Sequence, residues 1–445
     1  MQVVSALLLV LGLFLFLFKK KSYLYYTVAW ITVFPFIINW GIKIQTDSYY
    51  NLLAWCNYYN VIVFFGLFAS QLLNDKSKKE LIRIKQILVV LLVMFAYSIF
   101  CAKVRNSGIV LNIKYTFSNF SNIFFLLNIY LLKPSLSSVK KTLKFMFYVE
   151  LFVGIFQLFG FFQYQVEADE GMANLSIVTG TYIRNNIYAE VLSLLFLSLF
   201  YFKVKEKSKI GYYYWILTLY VFYIVYESGI RTALVAFVLI YGLLFAMYLR
   251  NKPYFKLKIF AFAVVAIVAI NTDMKAIMSG QMTYDSQVES SSDRQSNLLN
   301  IFRDNDYLLE HTTIYYSIYV LSYFSENPIM GPGLLYANGK QGYGDVVNTS
   351  AGNITDATLA LYICETGIIG LMLLFILYYL ILYRINKGNL GAYLLFVYLI
   401  LITITDPGLF FLPNVLILFL LIYYDNFNKN KTLNNEINKR FETLL

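Results

Sequence analysis

Long apolar runs dominate the chain, and short polar connections separate them. Runs of roughly 17 to 25 apolar residues are long enough to cross a bilayer as a helix. Because the apolar positions are continuous and do not alternate, they favour helices over the strands of a membrane barrel. The pattern predicts an all-α polytopic membrane protein with about 12–13 transmembrane helices and one large, partly helical extracytoplasmic loop. The predicted spans are 2–18, 22–42, 50–73, 85–104, 109–132, 142–163, 185–202, 211–227, 231–249, 256–272, 356–383, 389–405 and 407–424.

The composition excludes an ordinary soluble domain. Of the 445 residues 59% are hydrophobic and 14% are charged, whereas soluble domains carry about 25% charged residues. The first run lacks a basic flank before it and a small-residue cleavage site, so we expect a span and not a cleaved signal peptide. Cys56, Cys101 and Cys364 lie in apolar runs without metal-ligand spacing, and a disulfide framework is not expected.

Basic residues sort the connections onto two sides of the membrane. Most of the 36 lysines and arginines fall in one alternating set of connections, which the positive-inside rule places in the cytoplasm. The N-terminus is then outside and the C-terminus inside. The net charge of +11 is therefore a topology signal, because the basic residues are dispersed and no nucleic-acid-binding signature accompanies them.

The remaining basic residues fall on or near the outer face, where insertion disfavours them. They are Lys43, Lys103, Arg105, Lys114, Arg184, Arg231, Lys275, Arg294, Arg303 and Lys340. One interpretation is snorkelling or local salt bridges. The other is a polyanionic ligand at the outer leaflet, of which a diphosphate is the main candidate, because the guanidinium fork binds phosphate oxygens bidentately and stays charged.

The runs and connections divide the chain into five predicted segments. They are N-terminal transmembrane helices (1–163), central transmembrane helices with an arginine-bearing outer loop (164–272), a large extracytoplasmic loop (273–355), C-terminal transmembrane helices (356–425) and a basic cytoplasmic tail (426–445).

The large outer loop is predicted to carry structure and function. Structureless loops beyond about 15 residues are uncommon in compact proteins. Ile314 to Phe324 has apolar residues at helical spacing. This spacing predicts an amphipathic helix, which Glu326-Asn327-Pro328 ends, and Gly331-Pro332-Gly333 forces a turn.

Two carboxylates follow this loop. Asp356 is either a helix N-cap or a carboxylate that orients or deprotonates a sugar hydroxyl. Glu365 lies further along the same predicted helix, about 13 Å deeper and on the opposite face. An acid at that depth needs a partner or a wet cavity. Gly367 and Gly370 permit close helix packing or a slight unwinding.

Other charged positions carry two interpretations each. Arg231 either pairs with Glu227, one helical turn away, or clamps a phosphate, and Arg184 is open to the same alternatives. Three further charges fall inside predicted spans: Lys114, Glu150 and Glu190. A pair between the lysine and one of the carboxylates is their simplest explanation.

Known cofactor and metal motifs are missing from the sequence. His311 is the only histidine, and a metal site normally needs several ligands. Phosphate-loop, dinucleotide-binding and nucleophile-elbow motifs are absent as well. We therefore expect no metal and no cofactor, and the energy for a reaction comes from the substrate. A sugar on a diphosphate carries its own leaving group.

Four patches resemble the O-antigen polymerase and ligase superfamily, the Wzy-type polymerases and their ligase relatives. They are Gly180-Thr-Tyr-Ile-Arg184-Asn-Asn186 with Ala189, Ser228-Gly-Ile-Arg231-Thr-Ala-Leu234, Asn327-Pro-Ile-Met-Gly331-Pro-Gly333, and Asp356 to Gly370 with Glu365 before Gly367. The resemblance covers roughly Gly180 to Tyr383, and it covers the first half only in architecture.

The resemblance implies a GT-C-like fold and a bacterial inner-membrane glycosyltransferase with its active site facing outside. It would polymerise undecaprenyl-diphosphate-linked repeat units into O-antigen or capsular-type polysaccharide, with inversion at the sugar carbon. A chain-length regulator is an implied membrane partner. Asp356 and Arg231 are the implied catalytic residues. The implied substrate-binding residues are Arg184, Asn186, Arg294, Arg303, Lys114, Arg105 and Glu365.

Departures from the family pattern decide between its members. Ligases carry His where this chain has Asp356, and Ala357 replaces the neighbouring Asn, so the polymerase is favoured. A ligase that moves finished glycan to lipid A core or protein is the alternative. A flippase for lipid-linked oligosaccharides is the alternative from another class; it would have two related halves and charges at the membrane midplane. Here the sequence has no internal repeat, and the charged residues proposed for the site gather at the outer face.

Overall fold

The computed structural model describes residues 2–41, 46–72, 78–104, 109–161, 178–182, 185–228, 231–250, 328–331, 358–385, 390–404 and 408–426. Within these ranges every regular element is a helix, which confirms the all-α class. The helices are α1 (Gln2–Phe18), α2 (Ser22–Ile31), α3 (Val33–Gly41), α4 (Thr46–Leu72), α5 (Lys78–Val104), α6 (Ile109–Phe120), α7 (Ile123–Leu132), α8 (Leu136–Leu158), α9 (Asn185–Lys205), α10 (Tyr212–Glu227), α11 (Arg231–Leu249), α12 (Thr358–Tyr379), α13 (Leu390–Thr403) and α14 (Leu412–Asn426). A π-helical segment (Leu380–Ile385) follows α12, and a 3-10 turn (Gly408–Phe410) precedes α14.

Several helices have the length and apolarity of membrane spans. In the described part of the chain, five stretches qualify: Leu52–Leu72, Ile84–Cys101, Asn186–Lys205, Thr232–Leu249 and Glu365–Leu382. Shorter apolar helices accompany them, α1 and α13 among these. The chain is therefore a multi-span membrane protein, while the total of 12–13 spans stays a prediction.

Three predicted spans are interrupted within the described ranges. The run 22–42 divides into α2 and α3 at Thr32, whose hydroxyl donates to the carbonyl of Val28 at 2.8 Å. The run 109–132 divides into α6 and α7 at a turn over residues 121–122. The third interruption is at Gly367, inside α12. Hydropathy does not reveal such breaks, because apolar residues continue on both sides of each break.

The chain divides into two compact units. The first takes in Met1–Phe34, Thr46–Phe145 and Tyr316–Leu445, and the second takes in Pro35–Gln45 and Met146–Tyr315. The five segments expected from the sequence concern membrane sidedness and composition, and they stay a prediction.

The first unit has an aromatic and polar core. The rings of Tyr23, Trp30 and Tyr59 are fully buried and lie against one another. The Tyr23 hydroxyl donates to Asn60 Oδ1 at 2.7 Å, and Asn128 Nδ2 donates to the Tyr23 hydroxyl at 2.8 Å. This network joins α2, α4 and α7, because buried polar groups need partners.

The second unit is built around α9. Of its span Asn186–Lys205, 89% is buried, compared with 50% for Thr232–Leu249 in α11. Phe196 of α9 contacts Phe147 of α8, Tyr214 of α10 and Phe237 of α11. The central helix is therefore held by its neighbours, and its N-terminal residues are fixed with it.

Candidate functional site

The turn at residues 328–331 packs directly on a break in α12. At Gly367 the backbone has φ 64° and ψ −167°, a conformation that is essentially restricted to glycine. The helix stops there and a second helical part starts at Ile368. The first amides of any helix lack acceptors within it. Here the amide of Ile368 donates to the carbonyl of Pro328 at 2.9 Å, and the amide of Ile369 donates to that of Ile329 at 3.2 Å.

Two glycines make this close approach possible. Gly331 has φ 63°, and a Cβ added to it would collide with the backbone carbonyl of Glu365. A Cβ on Gly367 would lie 2.5 Å from the carbonyl oxygen of Ile329. Each glycine therefore meets the backbone of the other segment, and the turn and the break form one reciprocal contact.

Two side chains of α5 complete the contact. The phenol oxygen of Tyr97 lies 2.6 Å from the carbonyl oxygen of Thr366 and 2.7 Å from that of Met330. The thiol of Cys101, one helical turn later, lies 3.5 Å from the same Met330 oxygen. Both carbonyls beside the break thus have donors, which an apolar environment requires.

Glu365 is buried on the N-terminal side of the break, with 7% of its surface exposed. Next to it, the Thr366 hydroxyl donates to the carbonyl of Tyr362 at 2.6 Å. Across the break, the Tyr362 hydroxyl donates to the carbonyl of Gly370 at 3.2 Å. Side-chain donors therefore stabilise the backbone on both sides of Gly367.

A second polar cluster, in the second unit, fixes the chain ahead of α9. Glu150, Gly154 and Gln157 lie at helical spacing on α8 and therefore share a face. The buried carboxylate of Glu150 accepts a 3.0 Å bond from the amide of Thr181 and a 2.6 Å bond from its hydroxyl. Gly154 leaves room for the Tyr188 hydroxyl, which donates to the Glu150 carbonyl at 3.1 Å.

Gln157 uses both atoms of its amide on two successive residues. Its Oε1 accepts from the amides of Thr179 and Gly180 at 2.9 and 2.8 Å. Its Nε2 donates to the carbonyl of Gly180 at 3.0 Å and lies 3.3 Å from the Thr179 hydroxyl. Gly180 itself has φ 59° and packs against the Tyr188 ring. Together, Glu150 and Gln157 hold residues 179–181 against α8.

The structure describes some of the residues expected at a site. Asn186 is the second residue of α9, and its Oδ1 accepts from the amide of Ile187 at 2.9 Å. Glu365 is buried at the break. Arg231 begins α11 and Lys114 lies in α6, but their side chains are outside the described part. Entirely outside the described residues are Arg105, Arg184, Arg294, Arg303 and Asp356.

The described site residues are divided between the two units. Asn186 belongs to the second unit and Glu365 to the first. Sequence reasoning missed the roles of Tyr97 and Gln157. Gln157 gave a weak signal as an amide inside an apolar run, whereas Tyr97 gave none among 40 tyrosines. The pair expected between Lys114 and a carboxylate stays untested, although the Glu150 carboxylate already has two donors on Thr181.

Residues 216–375 match the O-Antigen ligase family. This stretch contains the turn at residues 328–331, α11, and most of α10 and α12. The match confirms the resemblance to the O-antigen polymerase and ligase superfamily, and it supports a membrane enzyme of that ligase or polymerase type. Among curated proteins no match was found. Within the matched segment, the turn at residues 328–331 and the break in α12 are thus in contact through Gly331 and Gly367.

Proposed function

We propose that the protein is a glycosyltransferase of the bacterial cytoplasmic membrane that polymerises undecaprenyl-diphosphate-linked oligosaccharide repeat units. The reaction takes place on the outer face of the membrane. Its product is a surface polysaccharide of the O-antigen or capsular type.

One observation carries the proposal: two separated motifs of the O-antigen ligase segment meet backbone to backbone. The turn at residues 328–331 supplies, from Pro328 and Ile329, the carbonyls that the amides of Ile368 and Ile369 need. A helix that breaks inside a span is tolerated only where protein or a cavity surrounds it. Both glycines allow the close backbone approach that this contact needs, and such a built contact favours a site at the base of the outer loop over a simple membrane anchor.

In the proposed reaction a growing glycan moves from one lipid diphosphate to a new repeat unit. The bond between the donor sugar's anomeric carbon and the diphosphate oxygen breaks. A bond forms from that carbon to the acceptor hydroxyl oxygen, with inversion at carbon. The hydroxyl proton passes to the carboxylate of Asp356, and the bonding electron pair leaves with the diphosphate.

Arginines supply the positive charge that this leaving group requires. Arg231 lies at the first turn of α11, and Arg184 follows the segment that Glu150 and Gln157 hold. Guanidinium groups placed where negative charge develops lower the barrier as oxyanion-stabilising donors do. Arg105, Arg294, Arg303 and Lys114 are further candidates for the same role, and Asn186 and Glu365 for contacts with the sugars. With arginines in this role, the step needs no metal ion.

A ligase is the second candidate, and the family description favours it. The matched family is described as an O-Antigen ligase, and a ligase would transfer finished glycan to lipid A core or protein. Asp356 favours the polymerase, because the ligases carry His at the corresponding position in the resemblance.

Chain growth from a synthetic lipid-diphosphate-linked repeat tests the proposal with purified enzyme. We expect Asp356→Ala and Arg231→Ala to lower the rate of chain growth by at least about a hundredfold, the scale of general acid–base and electrostatic contributions. Arg231→Lys keeps the charge but loses the bidentate fork, so its rate should fall between those of wild type and Arg231→Ala. Wild-type rates for both alanine variants would sink the assignment.

The glycans at the cell surface separate the two candidates. Cells that lack the polymerase should display single repeat units, because transfer to the surface still occurs. Cells that lack a ligase should instead accumulate long glycan on the lipid carrier. Long lipid-linked glycan in cells lacking this protein would replace the polymerase proposal with the ligase.

A further inference from the structure

Tyr97 contacts the O-antigen ligase segment from outside it. The residue lies in α5, whereas the matched family segment is 216–375. Its phenol reaches Met330 of the packed turn and Thr366 of the broken helix. An element far away in sequence thus joins the two parts of the contact.

The Tyr97 phenol has one hydroxyl proton for two carbonyl acceptors. Both oxygen–oxygen distances, 2.7 and 2.6 Å, are those of good hydrogen bonds. A phenol has one proton to donate, so the two carbonyls share it. The sharing requires that both oxygens stay beside the same hydroxyl. Because of this, the Met330 and Thr366 carbonyls are held at a fixed separation.

We propose that Tyr97 is a positioning residue of the transferase. Its hydroxyl fixes the packed turn to the break in α12, and so sets the place of the buried Glu365 relative to residues 328–331. The catalytic consequence rests on the proposed function, whereas the fixed contact does not. Cys101 contributes a weaker donor to the same Met330 carbonyl.

Hydrogen exchange of the full-length protein in lipid nanodiscs tests the contact directly. Tyr97→Phe removes only the hydroxyl. We expect the amides of Ile368 and Ile369 to exchange about tenfold faster, as for the loss of one buried hydrogen bond, with unchanged exchange in α4 and α9. The matched control is Tyr378→Phe. Tyr378 lies in α12, the helix that contains the break, but its hydroxyl donates to the carbonyl of Leu409 at 3.3 Å, far from the break. Loss of this hydroxyl should leave the exchange of Ile368 and Ile369 unchanged.

Kinetics with the lipid-linked repeat test the consequence. For Tyr97→Phe we expect kcat about tenfold lower with KM within twofold of wild type, because the substitution removes no substrate-binding side chain. A general loss of stability would raise exchange throughout the first unit and would not be confined to the break. If wild-type protein polymerises nothing but Tyr97→Phe still loosens the break, the positioning inference stands and the proposed function fails.

Two outcomes overturn the inference. In the first, the amides of Ile368 and Ile369 exchange in Tyr97→Phe at the wild-type rate. In the second, these amides exchange faster in Tyr97→Phe, but kcat is the same as in wild type. If Tyr97→Phe is not recovered folded, Cys101→Ala replaces it, since it removes the second donor to Met330. For Cys101→Ala, an increase of exchange at Ile368 and Ile369 that is smaller than about tenfold supports the inference. Unchanged exchange at these two amides opposes it.

Discussion

Gly331 and Gly367 are the residues whose replacement the packed turn tolerates least. Both have positive φ, and each has the backbone of the other segment where a Cβ would lie. Backbone atoms cannot move aside as the end of a flexible side chain can. At the residue scale the contact therefore depends on the absence of two side chains.

Gly367→Ala tests this dependence on the folded protein. Alanine at this φ and ψ costs about 1–3 kcal/mol, and its methyl group must also displace the carbonyl of Ile329. We expect the melting temperature in detergent, followed by tryptophan fluorescence, to fall by about 4 °C or more. Gly66→Ala in α4 is the control, because no atom lies within 4 Å of an added Cβ there. Alanine is the better helix former, so Gly66→Ala should not lower the melting temperature. Equal effects of the two substitutions would contradict the interlocking of Gly331 and Gly367.

At the scale of elements, the ends of a helix can be predicted from the sequence where a change from apolar to charged residues marks them. The predicted span 2–18 coincides with α1 (Gln2–Phe18), because lysines follow immediately. The span predicted at 142–163 is instead α8 (Leu136–Leu158). Ser135 begins it early, since its hydroxyl accepts from the amide of Ser138 at 3.1 Å. Hydropathy cannot detect a capped first turn that is followed by two lysines.

The candidate site was less accessible to sequence reasoning than the helices. Gly367 was expected to permit a slight unwinding, and the helix does break there. The partner of the break was not foreseen, because contacts between residues 97, 330 and 366 have no local signature. Charges inside predicted spans suggest partners of opposite charge, and they give no sign that a backbone amide and a hydroxyl of Thr181 donate to Glu150.

Gln157→Leu tests whether α8 holds the segment ahead of α9. Leucine fills similar space but leaves the amides of Thr179 and Gly180 without their acceptor, which costs about 1–3 kcal/mol for each buried group. We expect hydrogen exchange of residues 179–181 to rise at least about tenfold, while α11 is unchanged. Gln71→Leu, at the half-buried end of α4, is the control and should leave residues 179–181 at wild-type exchange. Wild-type protection in Gln157→Leu would mean that Glu150 holds the segment alone.

At the scale of the whole molecule, membrane sidedness decides whether the proposed chemistry can meet its substrate. The O-antigen ligase match supports a membrane enzyme but does not fix its orientation. The distribution of basic connections predicts that residues 273–355 lie outside and the tail inside. In that predicted orientation, Asp356 and the outer arginines lie on the side where polymerisation of lipid-linked repeats is proposed.

Cysteine labelling of intact cells tests that orientation. Ser291→Cys lies in the large loop and Thr432→Cys in the basic tail. A membrane-impermeant maleimide should label Ser291→Cys in intact cells and Thr432→Cys only after the cells are broken, because the reagent does not cross the bilayer. The unaltered chain is the background control; of its three cysteines, Cys56 and Cys101 are buried. Labelling of Thr432→Cys in intact cells, with Ser291→Cys protected, would invert the topology. Asp356 would then face the cytoplasm, and a transferase acting outside the membrane could not use it.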